Sequence, residues 1–299
     1  MDVFGPLQSL QSVKMSINAA MMPMSDGNDI PQFFSAAFRL GTVEATRAHV
    51  LALFKAGVRF FEIAELYGNG NTICETLKEV ANRDELYISL KLWPKSRKPD
   101  DLRDTVSFLM HEYGLQYLDL VSVHAPIDAD NKIEQYKALE EMKDSGITRS
   151  IGVVNINAVM LQDLLKNCRI APVTYQLEAS PFGQNNEMVE FCGDSSIFVL
   201  NNSPVAKGLM DAHTGLCNLA GEHGMSSTRL LLKWAFTKGM AIGIPAGNAN
   251  IMAELSADVG GVAACFDAGL PEDLMDKLAT FEAGSCTAWV PSENVVDDA

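Results

Sequence analysis

The sequence predicts an α/β fold in which eight parallel strands, each followed by a helix, close into a (β/α)8 TIM barrel with a short N-terminal hairpin and a C-terminal helix plus tail. Three observations predict it. Short and nearly continuous apolar runs, the pattern of strands buried on both faces, alternate with stretches whose apolar residues recur at helical spacing. The strand-like runs number eight, which suits a closed barrel better than an open doubly wound sheet. No Pro/Gly/Ser-rich linker divides the 299 residues, so residues 1–299 read as a single domain. Within it the hairpin occupies about 15–31, the barrel about 32–265, and the C-terminal helix and tail about 266–299.

Each element has its own justification. Asp26-Gly27 between the short apolar flanks Met21-Met22 and Ile30 is the chemistry of a tight hairpin turn. The first barrel strand is placed at Phe33–Phe38, followed by Arg59–Ile63, Leu86–Leu92, Leu118–Val123, Ser150–Val154, Val173–Leu177, Ile197–Leu200 and Ala241–Ile244. Leu102, Val106, Leu109, Met110 and Tyr113 keep helical spacing between Pro99-Asp100, a first-turn signal, and Gly114, a C-terminal stop. The same pattern recurs in Val50, Leu51 and Phe54 before Gly57, and in Ile133, Tyr136, Leu139 and Met142 before Gly146. It returns in Met160 to Leu165 and in Leu230 to Phe236 after Ser226-Ser227. A last helix is expected over Pro271 to Ala283, ahead of a tail containing Trp289-Val290-Pro291 and the acidic ending ENVVDDA.

Composition narrows the function. At 47% hydrophobic and 20% charged residues, the chain can bury a sizeable core. A formal net charge of -15 argues against nucleic acid or anionic membrane as partner. Met1 to Leu10 lacks a basic region leading into an apolar run, and no segment has the roughly 18 apolar residues of a membrane span, so a cytoplasmic address is expected. Cys74, Cys168, Cys192, Cys217, Cys265 and Cys286 lie far apart without CxxC spacing, and the five histidines fall in no ligand pattern. Free thiols and no metal site are expected.

In barrels of this kind chemistry gathers at the C-terminal strand ends, so polar residues that close an apolar strand are the candidates. Glu62 and Tyr67 lie in FFEIAELYGNGN (Phe60 to Asn71), where a carboxylate sits inside a strand-like run. Lys91, His124, Asn155, Gln176 and Asn202 end later strands, and all should face one mouth.

Four motifs in order carry a family resemblance. GVRFFEIAELYGNGNTICETLKE is similar to G-x-R-x-(I/F)-D-T-A-x-x-Y-G-N-E, and DELYISLKLWP to D-L-F-I-x-(S/T)-K-L-W. YGLQYLDLVSVHAP is similar to L-G-L-x-Y-(V/L)-D-L-x-x-(I/L)-H-x-P, and ALEEMKDSGITRSIGVVN to A-L-E-x-L-x-x-x-G-K-x-R-x-I-G-V-S-N. Over nearly its whole length the chain resembles the aldo-keto reductases. The resemblance implies NAD(P)H-dependent reduction of an aldehyde or ketone, a small-molecule carbonyl substrate, and a tetrad in which Tyr67 donates the proton, Lys91 lowers its pKa and His124 orients the carbonyl. Glu62 stands where the family has an aspartate paired with the lysine.

The cofactor side departs from the family pattern. FSAAF (Phe34 to Phe38) replaces G-x-G-T-W, bringing side chains where backbone approaches the nicotinamide ribose. Val154-Asn155 replaces a serine-asparagine pair, so the resemblance implies that Asn155 keeps the amide that binds the cofactor carboxamide while a hydroxyl is lost; Gln176 matches the family glutamine, and Asn202 stands where many members stack a tyrosine on the nicotinamide. Ser203 and Lys207 are implied contacts to the pyrophosphate. Ala246 and Gly247 occupy the lysine and serine positions that grip the 2'-phosphate of NADP(H), so the resemblance implies NADP(H) while the residues leave NAD(H) open. Two readings follow. In one the chain is a reductase; in the other it is a non-catalytic barrel, a regulatory or binding subunit with a protein partner, in which Glu62 only neutralises a buried lysine.

Overall fold

The computed structural model describes residues 21–38, 40–94, 97–124, 132–208, 210, 212–247, 249–255, 262, 266, 268–285 and 287. The start of the expected hairpin, the tail containing Trp289, Cys265 and Cys286 lie outside them. Strands β1 (Met21–Pro23) and β2 (Asp29–Pro31) pair antiparallel with Met22 opposite Ile30, and Gly27 takes a φ of 83° at the turn. Eight strands then close a parallel barrel: β3 (Phe33–Ala36), β4 (Phe60–Ala64), β5 (Tyr87–Leu92), β6 (Leu118–His124), β7 (Thr148–Val154), β8 (Thr174–Leu177), β9 (Phe198–Asn201) and β10 (Ala241–Pro245), the last pairing with β3. The first strand is two residues shorter than expected: Ala37 and Phe38 already belong to the turn at the mouth.

Helices α1 (Val43–Lys55), α2 (Gly70–Lys78), α3 (Pro99–Tyr113), α4 (Lys132–Asp144), α5 (Ala158–Asn167), α6 (Asn186–Asp194), α7 (Thr214–Glu222), α8 (Ser227–Thr237), α9 (Ala249–Glu254) and α10 (Glu272–Ala279) lie in the connections and after the last strand. Pro99 and the left-handed Gly114 (φ 62°) bound α3 as the sequence signals require. The final helix, α10, stops four residues before the expected Ala283. No helix among the described residues is long and apolar enough to cross a membrane.

Strand periodicity decides what faces the barrel axis. Phe34, Phe60, Tyr87, Leu120, Leu200 and Ala241 form one cluster with Met24 and Ile30 of the hairpin, which plugs the N-terminal end of the barrel. Their strand neighbours Phe33, Phe61, Ile88, Val121 and Ile242 pack outward against the helices in the larger core. By the same alternation Glu62, Lys91 and Gln176 point inward, toward the C-terminal half of the lumen. Two glycines permit this packing. A Cβ on Gly243 would lie 2.7 Å from Phe34 Cζ and 2.8 Å from the Asn201 carbonyl oxygen, and one on Gly152 would lie 2.1 Å from Thr174 Oγ1.

Candidate active site

β4 presents Glu62 and then bends into a short 3-10 turn, Glu65–Tyr67, closed by the left-handed Gly68 (φ 66°). That turn swings the phenol of Tyr67 back over the barrel mouth. It is fixed on two sides. Asn69 Nδ2 donates to the Ala37 carbonyl at 2.8 Å, and Glu65 accepts from the Trp93 N–H at 3.1 Å while pairing with Arg97 at 2.5 Å. Phe38 packs its ring 5.1 Å from that of Tyr67.

β5 brings Lys91 to the same point, two residue pairs beyond the Glu62–Ser89 register. Its ammonium donates to Tyr67 Oη at 2.8 Å and lies 2.7 Å from Glu62 Oε1. Both charged side chains are at least 94% buried. Burial alone would push the Lys91 ammonium toward neutrality, yet Glu62 and Tyr67 beside it hold its pKa above the ordinary lysine value. The Tyr67 phenol is pushed up by burial, pulled down by Lys91 and pushed up again by Glu62, and the net direction is upward. Lys91 thus acts on the phenol in the direction of ionisation, against burial and against Glu62.

The second oxygen of Glu62 has a different partner: Gln176 Nε2, at the end of β8, donates to Oε2 at 2.6 Å. β4 and β8 stand four strands apart in a ring of eight, on opposite walls, so this bond crosses the lumen. Glu62, Tyr67, Lys91 and Gln176 thus form one linked set.

His124 ends β6 with its ring 5.3 Å from that of Trp93, and Asn155 Nδ2 lies 3.4 Å from its Nε2. Asn155 takes a φ of 55°, a conformation asparagine tolerates better than most residues, and its N–H donates to the Gln176 carbonyl at 2.9 Å. The remaining sequence-predicted residues sit at the ends of β9 and β10 rather than in the linked set. Ser203 is buried, Asn202 is half-buried, and Lys207 donates to the Thr287 carbonyl. Ala206 and Lys207 both take left-handed backbone (φ 47° and 54°), strain of the kind that collects at functional loops. The Ala246 N–H donates to the Ala36 carbonyl at 3.1 Å, and Gly247 turns with a φ of 76°.

Three supporting residues escaped the sequence reading. Asn201 accepts from the N–H groups of Ala179 and Ser203, both at 3.1 Å, and so joins two mouth loops. Glu178 accepts from the Thr287 N–H at 2.9 Å and its hydroxyl at 2.6 Å. Glu65 is the third, described above. Each is a polar residue within two positions of a strand end or of Tyr67, which is the signal that could have found it.

The lining offers a dinucleotide something specific at one end. Gln176 Oε1 and Asn202 Oδ1 are buried acceptors without a hydrogen-bond partner, a fit for the N–H groups of a carboxamide. Ala246 and Gly247 bring neither a charge nor a hydroxyl to the last loop. Among the described residues no cluster of His, Cys, Asp or Glu is placed to hold a metal ion.

Comparison with known proteins gives a consistent result. The model of the Aldo/keto reductase family matches residues 37–260. An aldo-keto reductase of Mycobacterium sp. (strain KMS) is 28% identical over 271 residues, covering 90% of this chain and 95% of its own length. The methylglyoxal reductase of Escherichia coli O157:H7 is 29% identical over 232 residues, 75% of this chain and 82% of that protein. Among solved structures, an aldo-keto reductase from a Medee basin deep-sea metagenome library superimposes with a TM-score of 0.82 at 21% identity, covering 92% of this chain and 99% of that one. With eight strands closed in parallel order and a family match across most of its length, the chain belongs to the aldo/keto reductase family and is an enzyme of its oxidoreductase type.

Proposed function

We propose that the chain reduces an aldehyde or ketone to an alcohol with hydride from NADPH or NADH, and that Tyr67 supplies the proton. The observation that carries this reading is the Lys91 ammonium, buried between Tyr67 Oη at 2.8 Å and Glu62 Oε1 at 2.7 Å. When bound, the nicotinamide supplies the hydride to the carbonyl carbon. Tyr67 gives its proton to the oxygen as negative charge develops there, and the adjacent ammonium stabilises the phenolate left behind. Glu62 keeps that ammonium from being a lone buried charge. His124 directs the carbonyl oxygen toward the phenol, with Asn155 steadying its ring. Gln176 Oε1 and Asn202 Oδ1 receive the carboxamide; Ser203 and Lys207 receive the pyrophosphate. With no cation at Ala246 or Gly247, the 2'-phosphate gains little, so NADH and NADPH serve comparably.

Relatives named as reductases of methylglyoxal and D-xylose support a small polar carbonyl substrate. The scattered cysteines support a cytoplasmic address, and one continuous barrel supports a single domain over residues 1–299. A second reading, a non-catalytic barrel that binds a protein partner, draws on the charge missing at Ala246 and Gly247. Thermal melts with NADPH, NADP, NADH and NAD at millimolar concentration separate the two. A ligand at a hundred times its Kd adds about 2.7 kcal/mol of stability, a resolvable shift. The reductase reading expects it with both reduced forms; four flat results would overturn it.

A further inference from the structure

The bond from Gln176 to Glu62 has no counterpart in the division of labour above, in which one residue serves the cofactor and the other the lysine. Glu62 Oε2 accepts from Gln176 Nε2 at 2.6 Å while Oε1 stays 2.7 Å from Lys91. The first partner comes from β8, across the lumen from β4, and the second from β5, beside β4. A carboxylate one methylene shorter, drawn back by about 1.5 Å, could not keep both. We propose that Gln176 is a positioning residue for proton donation: its N–H anchors the far oxygen of Glu62 across the lumen and so fixes the near oxygen on Lys91, the partner of Tyr67. The long side chain at 62 is then a working part of the tetrad only because Gln176 restrains it. The inference rests on the reductase reading, and it leaves Gln176 Oε1 free for the carboxamide, so that one side chain couples cofactor and acid.

The surroundings favour a specific bond over casual contact. Both residues are buried, Glu62 at 2% and Gln176 at 2% exposure, and water is a poor substitute for either partner there. The titratable groups in contact with Glu62 and its partner lysine are Lys91 from β5 and Tyr67 from the turn after β4. Lys91 pulls the phenol toward ionisation and Glu62 opposes it. Releasing Glu62 from its anchor loosens its hold on Lys91 and tips that balance toward the phenolate.

The test is the alkaline ionisation of Tyr67, read as tyrosinate absorbance of each chain minus its Tyr67→Phe counterpart. It needs no substrate. Gln176→Met keeps the volume and removes the donor, while Gln176→Asn withdraws the donor by one methylene. Thermal melts confirm that each variant folds. Both should move the ionisation to lower pH. An ionisation that is unmoved, or moved upward, in the variants that fold overturns the positioning role, since gripping a carboxamide or filling space would leave it in place. Loss of all turnover in the unsubstituted chain would count against the reductase reading alone, because the absorbance result stands without it.

Discussion

Lys91 and Glu62 sit where a charge costs most, nearly sealed from water and 2.7 Å apart. Removing the lysine leaves a buried carboxylate with only the Gln176 amide for a partner. Lys91→Met should therefore lower unfolding free energy by about 3–5 kcal/mol, measured as a shifted denaturation midpoint, besides abolishing turnover. Tyr67→Phe loses one hydrogen bond to a charged group and should cost far less stability. Lys91 and His124 stood out in the sequence because each is a polar residue closing an apolar run, and Tyr67 because it precedes a Gly-Asn turn just beyond one. The bond between Glu62 and Gln176 was not: residues 114 positions apart meet only because their strands face each other across a closed barrel. Glu65 and Asn201 lie close to a strand end or to Tyr67, but the Trp93 and Arg97 groups that meet the one and the Ala179 N–H that meets the other are distant in sequence.

Among the elements, α1 carries a pH response of its own. His49 is buried against β3 with Nε2 3.2 Å from Ser35 Oγ, and burial lowers its pKa to about 4. The unfolded chain, with an ordinary histidine near 6.5, takes up the proton first as pH falls. Stability from this group is thus complete above about pH 6.5 and is lost progressively toward pH 4, on the order of 3 kcal/mol in all. His49→Gln should flatten that part of the curve of unfolding free energy against pH. In β10, Gly243→Ala places a Cβ 2.8 Å from a backbone carbonyl that cannot retreat, and should cost about 1–3 kcal/mol or more in a denaturant titration. All eight barrel strands were legible from apolar runs, whereas α2, α6, α7 and α9 were not singled out. The first three are nine residues each and the last is six, too short for helical periodicity to stand out without a clear start and stop signal.

At the scale of the whole molecule, closure is what makes the site. Eight strand ends converge on one mouth, and the hairpin seals the other end with Met24 and Ile30, so polar residues inside the lumen open only toward the mouth. The barrel could be read from alternation and strand number; which side chains meet inside it depends on register, which a single chain does not display. Dinucleotide preference also belongs to this scale, since the two ends of the cofactor meet different strands. NADPH and NADH should bind within about tenfold of each other in Kd, because no cation discriminates at Ala246 and Gly247. The central claim is that Tyr67 is the proton donor of a carbonyl reductase, and it is tested most directly by the rate of NADPH and NADH oxidation with a panel of small aldehydes, compared between the unsubstituted chain and Tyr67→Phe. The account predicts turnover that falls about 10²–10⁴-fold in Tyr67→Phe while the thermal shift with NADPH persists. Equal turnover in both chains, or none with any aldehyde, would contradict it.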